Sequence, residues 1–208
     1  MHREALSEGQ IRLLPALGGF AAEEGLYLGG GTAVALYLGH RLSVDYDLFS
    51  SQEIADPMAL AGRAGARGLS LEQIQVSRGT LHAVVVGVNI SCLEYRYPLI
   101  APLERWQEYC LDVASLDDLV CMKLAAVAQR GARKDFIDIY ALGMRHVDLP
   151  AMIELYRRKY SMSDVGSVLT ALCYFDDAEV EPMPTMLWDV SWDEVKRQIG
   201  SWVRGLVR

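Results

Sequence analysis

The chain has no apolar run long enough to cross a bilayer. The longest stretches, such as Leu81 to Val88, fall well short of the roughly 18 residues a spanning helix needs. Its opening, Met1-His2-Arg3-Glu4, does not begin a signal peptide, so the reading is of a cytoplasmic protein without a membrane partner. Close cysteine pairs are also lacking: Cys92, Cys110, Cys121 and Cys173 are scattered, which excludes the usual zinc and dithiol spacings and implies buried thiols in a reducing compartment. Positive charge is in deficit, with a formal net charge of −7, so the protein does not coat nucleic acid by bulk electrostatics. A nucleic-acid partner must be met by a local patch. Arg130, Arg133 and Lys134 form one candidate, while Arg157, Arg158 and Lys159 read as a solvated helix face.

What is present is a normal core, with 51 % hydrophobic residues over 208 positions. The pattern changes near Cys110. Before it, a helix over Ser7 to Glu24 that covers a sheet, despite Pro15, leads into β-rich runs. These are Leu26 to Leu28, Val44 to Phe49, Leu71 to Val76, Leu81 to Val86 and Ile90 to Tyr95, the last two forming a hairpin about Gly87-Val88-Asn89. After it, every signal is helical: Ser115 opens a capping-box spacing before Leu119 to Gln129, and Gly131 suits the position beyond the helix end. Further helices are predicted from Lys134 to Pro150, Pro150 to Lys159, Asp164 to Tyr174 and Ser191 to Arg208. The expectation is an α+β domain over 1–110 with a small mixed sheet flanked by helices, followed by a helical domain over 111–208. The acidic stretch from Asp176 to Glu181 reads as a solvated loop.

Chemistry concentrates after the first strand. Leu26-Tyr27-Leu28-Gly29-Gly30-Gly31-Thr32 reads as strand, glycine turn and helix start, where backbone N–H groups approach phosphate closely. One short helix later comes Ser43-Val44-Asp45-Tyr46-Asp47. Strand alternation puts Asp45 and Asp47 on one face, and such a pair suits Mg²⁺ (or Mn²⁺) bridging substrate phosphates. Arg41 and Arg133 are candidate phosphate ligands, and His40 and His82 are more easily read as structural than as general bases.

The coupling of Gly-Gly-Thr, helix and Ser-x-Asp-x-Asp resembles the nucleotidyltransferase fold of DNA polymerase β and its relatives. Further along, Ala114 to Leu119 and then Met122 to Tyr140 resemble the second signature of the AbiEii abortive-infection toxin family, and Leu93-Glu94-Tyr95-Arg96-Tyr97-Pro98-Leu99 resembles that family's sheet-to-helix junction. The likeness covers about residues 25 to 145, and nothing past Asp148 is matched. It implies an NTP substrate, a divalent metal, an antitoxin partner and transfer of NMP to a hydroxyl, on RNA and specifically tRNA. Within it Ser43, Asp45 and Asp47 match the first motif, Lys123 the second, and Asp135 or Asp138 the acidic position of the third, the choice between them staying open. Many enzymes of the fold carry a third carboxylate on a neighbouring strand; Glu94 is the sole acid of its run and the candidate metal ligand there. The alternative is a non-catalytic nucleotide-binding or partner-interaction module of the same fold, or an enzyme acting on a protein or small molecule.

Overall fold

The structure, a computed structural model, describes residues 1–206. Ser7 caps the first helix, α1 (Glu8–Glu24), through a full capping box with Gln10, and Gly25 closes it in the left-handed conformation at φ 64°. Pro15 sits inside α1 without ending it. Strand β1 (Leu26–Leu28) follows, then α2 (Gly30–Leu38) and β2 (Asp45–Ser50). Asp56 caps α3 (Pro57–Ala66), which leads to β3 (Leu71–Ser77), β4 (Thr80–Val85), β5 (Val88–Glu94), β6 (Glu104–Trp106) and β7 (Leu111–Val113).

The seven strands form one mixed sheet in the order β3-β4-β5-β2-β1-β7-β6. β2 runs parallel to β5 and antiparallel to β1, while β1 runs parallel to β7. Helix α1 lies against β1 and β7, and α3 against β3 and β4. Tyr46 points to the α1 side, where its hydroxyl donates to the Gln10 carbonyl at 3.0 Å; Asp45 and Asp47 therefore face the other side. That other side receives α2, with α4 (Leu116–Gln129) and α5 (Arg133–Arg145) packed against it in turn. Helices α6 (Leu149–Tyr160), α7 (Gly166–Ala171), α8 (Asp176–Glu179) and α9 (Trp192–Leu206) complete the chain. One hydrophobic core runs through all of this, with Phe20, Tyr27, Tyr46 and Phe136 almost wholly enclosed. Each such side chain contributes about 1.5–3 kcal/mol relative to exposure.

Several expectations need correction. Cys92 and Cys121 are buried as expected, but Cys110 and Cys173 are exposed, each lying at a turn rather than in a packed element. Strands β6 and β7, each of three residues, lie where the sequence predicts none; the equally short β1 is marked by the glycines that follow it, and no such turn signal bounds these two. The hairpin turn falls at Val86-Gly87, both at positive φ (51° and 77°), with Val88 already paired to Val85. A two-residue turn of that hand follows the natural twist of the strands, and its needs put a β-branched residue where Gly or Asn would be easier. The stretch 176–181 is solvated but not simply a loop: Asp176, Asp177 and Glu179 are exposed on α8, Ala178 is buried, and just beyond α8 the Glu181 carboxylate accepts from Arg133 N at 2.8 Å. Lys159 does not belong to a solvated face either. It is 1 % exposed, and its ammonium donates to Asp118 Oδ1 at 2.6 Å and to the Pro98 carbonyl at 2.8 Å. The predicted terminal helix is present as α9, with its last two positions, 207 and 208, outside the described residues.

Candidate active site

Gly29 and Gly30 let β1 turn directly into α2. The Gly29 N–H donates to the Asp47 carbonyl at 2.9 Å, which fixes the turn against β2. Gly30 sits at φ 63°, and a Cβ there would stand 2.6 Å from Asp47 Oδ2, so both conformation and space require glycine. A Cβ on Gly31 would strike the Arg41 guanidinium and come within 3.4 Å of Lys123 Nζ. The turn is thus pressed against one of the two strand carboxylates and two cations.

Thr32, in the first turn of α2, shares a 2.7 Å hydrogen bond with Ser43 Oγ and donates to the Asp45 carbonyl. Asp45 and Asp47 are half-buried on the same face of β2, and Asn89 Nδ2 donates to Asp45 Oδ1 at 2.9 Å. Across from them, on β5, the register places Asn89 beside Asp45 and Ser91 beside Asp47. Glu94 pairs with Ser50 and so has the opposite parity; its carboxylate accepts from Ile54 N at 3.1 Å and from Arg96 Nε at 2.6 Å. Among the described residues no group of three or more His, Cys, Asp or Glu could hold a metal. Two carboxylates facing an open cleft nevertheless suit Mg²⁺, which binds through one or two carboxylates together with substrate phosphates and water. The donor set fits such an ion, shared with a ligand.

Beneath the turn lies a chain of buried charges. Arg41 grips Asp138 at two points, Nε to Oδ1 at 2.8 Å and Nη2 to Oδ2 at 2.9 Å. Lys123 Nζ bridges Asp138 Oδ2 at 2.6 Å and Asp135 Oδ1 at 2.9 Å, and Arg130 meets Asp135 through Nε and Nη2. Both acids that the sequence leaves in competition therefore contact Lys123. Burial by itself would raise the Asp138 pKa, but the charges of Arg41 and Lys123 with the His40 hydrogen bond hold it well below the carboxylate range. Asp135 is lowered in the same manner, its burial outweighed by Lys123 and Arg130. Burial opposes the charge on Lys123 too, yet Asp138 and Asp135 raise its pKa on balance. His40 is wholly enclosed, and that burial depresses its pKa despite Asp138, so the ring is neutral and Nε2 donates to Asp138 Oδ1 at 2.8 Å. Three cations against two anions leave one positive charge, and Arg130, 58 % exposed, carries it to the surface of the cleft.

The cleft encloses about 860 Å³ between the glycine turn, the face of β2 and helix α4. Gly30, Gly31, Thr32, Ser43, Asp45 and Asp47 border it, as do Lys123 and Arg41. Arg133 is not brought to it: its guanidinium donates to the Ala178 and Glu179 carbonyls and stacks on Trp192 at 5.0 Å. Arg130 and Lys134, its neighbours in sequence, face the cleft instead. Arg130 caps one helix and Arg133 starts the next, so the packing of the two helices separates them. Sequence reasoning also missed Met183, Pro184 and Thr185, which border the cleft because Thr185 O accepts from Leu42 N and His40 O accepts from Leu187 N. No local signal marks that long-range strap.

Comparison with known proteins shows the family and the fold. The model of the family described as "Nucleotidyl transferase AbiEii toxin, Type IV TA system" matches residues 94–201, which takes in Lys123, Asp135 and Asp138 and continues well past Asp148. An uncharacterised protein of Aquifex aeolicus (strain VF5) is 34 % identical over 171 residues, 82 % of either chain. JHP933 from Helicobacter pylori superposes with a TM-score of 0.59 at 16 % identity, covering 97 % of this chain and 93 % of that one. MenT4, a nucleotidyltransferase toxin from Mycobacterium tuberculosis H37Rv, superposes with a TM-score of 0.55 at 17 % identity, covering 98 % and 87 %. At such identities the superpositions speak for the fold, which is that of the nucleotidyltransferases. Among the described residues no helix is long and apolar enough to cross a membrane.

Proposed function

Since the chain belongs to the AbiEii family of nucleotidyltransferases, we propose that it moves a nucleoside monophosphate from an NTP to a hydroxyl of RNA, with tRNA the acceptor and toxicity the outcome. The observation that carries this reading is the meeting of the Asp45/Asp47 face with the Gly30-Gly31 turn at a cleft backed by Lys123 and Arg130.

In this reading the triphosphate lies along the turn, taking N–H groups at the start of α2 and charge from Lys123, Arg130 and Lys134. A divalent ion held by Asp45 and Asp47 would supply Lewis acidity at the phosphates. The acceptor oxygen bonds to the α-phosphorus, the bond from that phosphorus to the bridging oxygen breaks, pyrophosphate leaves and the hydroxyl proton passes to solvent. Because charge spreads over the phosphoryl oxygens, fixed cations and backbone dipoles are what the protein must provide. Asp135 and Asp138 act on Lys123, Arg41 and Arg130 as positioning residues, their oxygens being already filled by those partners. Ser43 orients Thr32, and α4 with the 183–185 segment completes the cleft. An antitoxin partner made alongside follows from the same reading.

The test is incubation with Mg²⁺, each labelled NTP and total tRNA, for wild type and an Asp45→Ala/Asp47→Ala variant. Label on RNA that the variant lacks is the expected result. If wild type labels no RNA, the acceptor assignment falls. Expression of wild type without a partner should slow growth, with relief by Asp45→Ala; healthy growth would count against the toxic role.

A further inference from the structure

The two flanks of the Asp45/Asp47 pair differ in charge. One flank is the cleft, with Arg41, Lys123, Arg130 and Lys134 on its wall. The other is a groove of about 290 Å³ over the outer strands, which shares Asp45, Asp47, His82 and Ser91 with the cleft. Its remaining polar borders are the amides Gln73, Gln75 and Asn89, and among the described residues no Lys or Arg borders it.

The register shows how this surface is built. Asp47 stands opposite Ser91, Ser91 opposite His82, and His82 opposite Gln75, so one row of polar side chains crosses β2, β5, β4 and β3. A 3.0 Å hydrogen bond joins His82 Nδ1 to Ser91 Oγ. The row reaches Gln75 only through a bulge between Glu72 and Gln75, with Gln73 in the left-handed region at φ 49°. Continuing the alternation from the Glu72–Val84 pair without an extra residue would set Ile74 opposite His82 and turn Gln75 toward the core side with Leu81. The bulge exchanges an apolar side chain for an amide at the groove, in a conformation that costs a non-glycine residue energy.

We infer that this groove is the subsite for the terminal nucleobase of the acceptor, read at its edge by Gln75 and Gln73, with the attached ribose presenting its hydroxyl toward Asp47. The inference rests on the RNA-transferase reading above. A second triphosphate would not settle there, because the flank holds two carboxylates and no cation. A nucleobase is uncharged and offers paired donors and acceptors, which an amide side chain matches in bidentate fashion. The base thus lies on the flank without cations and the leaving pyrophosphate on the cationic one, with the two carboxylates between.

The test is direct binding of short 5′-labelled single-stranded RNAs ending in each of the four bases, to wild type, Gln75→Leu and Gln73→Gly, alongside the NTP KM of each. Both positions are exposed on an outer strand, so the variants keep the fold. Wild type should prefer one terminal base, and Gln75→Leu should bind it about tenfold more weakly and lose the preference while the NTP KM stays unchanged. RNA binding equal in wild type and Gln75→Leu overturns the proposal, as does a rise in NTP KM instead. Displacement of the RNA by a non-hydrolysable NTP analogue overturns it as well. Binding is read without turnover, so an absence of labelling in the transfer assay condemns the acceptor assignment separately.

Discussion

Arg41 and Asp138 lie 97 positions apart in the chain and meet in a two-point grip, with the guanidinium 4 % exposed and the carboxylate wholly enclosed. A planar guanidinium facing a planar carboxylate gains geometry as well as charge. The same carboxylate receives His40 and Lys123, so it ties the segment after α2 to both α4 and α5. Replacing Asp138 by Asn leaves two enclosed cations short of an anion. We expect a loss of about 3–5 kcal/mol in urea unfolding, together with loss of transfer activity. Stability within about 0.5 kcal/mol of wild type would refute the anchoring role.

The strand carboxylates should behave in the opposite way. Asp45 and Asp47 set two like charges on one face of β2, relieved in part by the Asn89 amide and by the nearby guanidinium groups of Arg41 and Arg130, and a bound cation would relieve them further. Asp47→Asn is therefore expected to cut nucleotidyl transfer by about a thousandfold while leaving stability unchanged or raised by up to about 1 kcal/mol. Thermal unfolding without nucleotide, set beside a transfer assay, measures both. A variant that is both unstable and inactive would make the pair structural.

Arg130 and Arg133 separate binding from architecture. Arg130→Ala should raise the NTP KM about tenfold or more, because it removes a charge that reaches the cleft. Arg133→Ala should leave that KM alone and cost about 1–3 kcal/mol of stability through its lost bonds to Ala178 and Glu179. Steady-state kinetics with a denaturation curve for each variant checks the division, and an NTP effect from Arg133 would contradict it.

Lys159 is a test of the second enclosed ion pair. Asp118 accepts from Ser115 Oγ, Ile100 N and Ala101 N as well as from Lys159, so the pair clamps the segment after β5 onto α4 and α6. Lys159→Met strands a filled but uncompensated carboxylate, and a cost of about 3–5 kcal/mol is expected in chemical denaturation. A neutral outcome would place this lysine back among ordinary surface residues.

His40 predicts a pH dependence of defined sign. Its folded pKa is depressed, so the folded state prefers the neutral ring. Its contribution is full above the ordinary histidine value and is lost as pH falls from there toward the folded value, because the unfolded chain takes up the proton first. Asp138 and Asp135, also depressed, add stability that persists above the ordinary carboxylate value and is lost only at lower pH. Melting temperatures from about pH 7.5 to pH 5 should fall for wild type and fall less for His40→Gln, whose amide can still donate to Asp138. Equal slopes would show that the ring titrates freely.

The sequence by itself determined what short-range physics encodes. Glycines at 29–31, the Asp45/Asp47 alternation and the Ser7 and Ser115 caps each act within a few residues, so the turn, the shared face and the helix starts are legible in the order of residues alone. Lys123 with Asp135 and Asp138 is legible as a motif, though not as a contact. Tertiary structure alone decided the rest. It sent Arg133 to α8 and Arg130 to the cleft, turned Lys159 inward to Asp118, placed Ser91 rather than Glu94 beside Asp47, and brought the 183–188 strap against His40. Arg130 ends α4 and Arg133 begins α5, so their directions follow from how two helices pack, and one residue of β-register reverses the face. Which of the possible partners a buried charge meets depends on segments up to about a hundred residues away, and no local pattern records that choice.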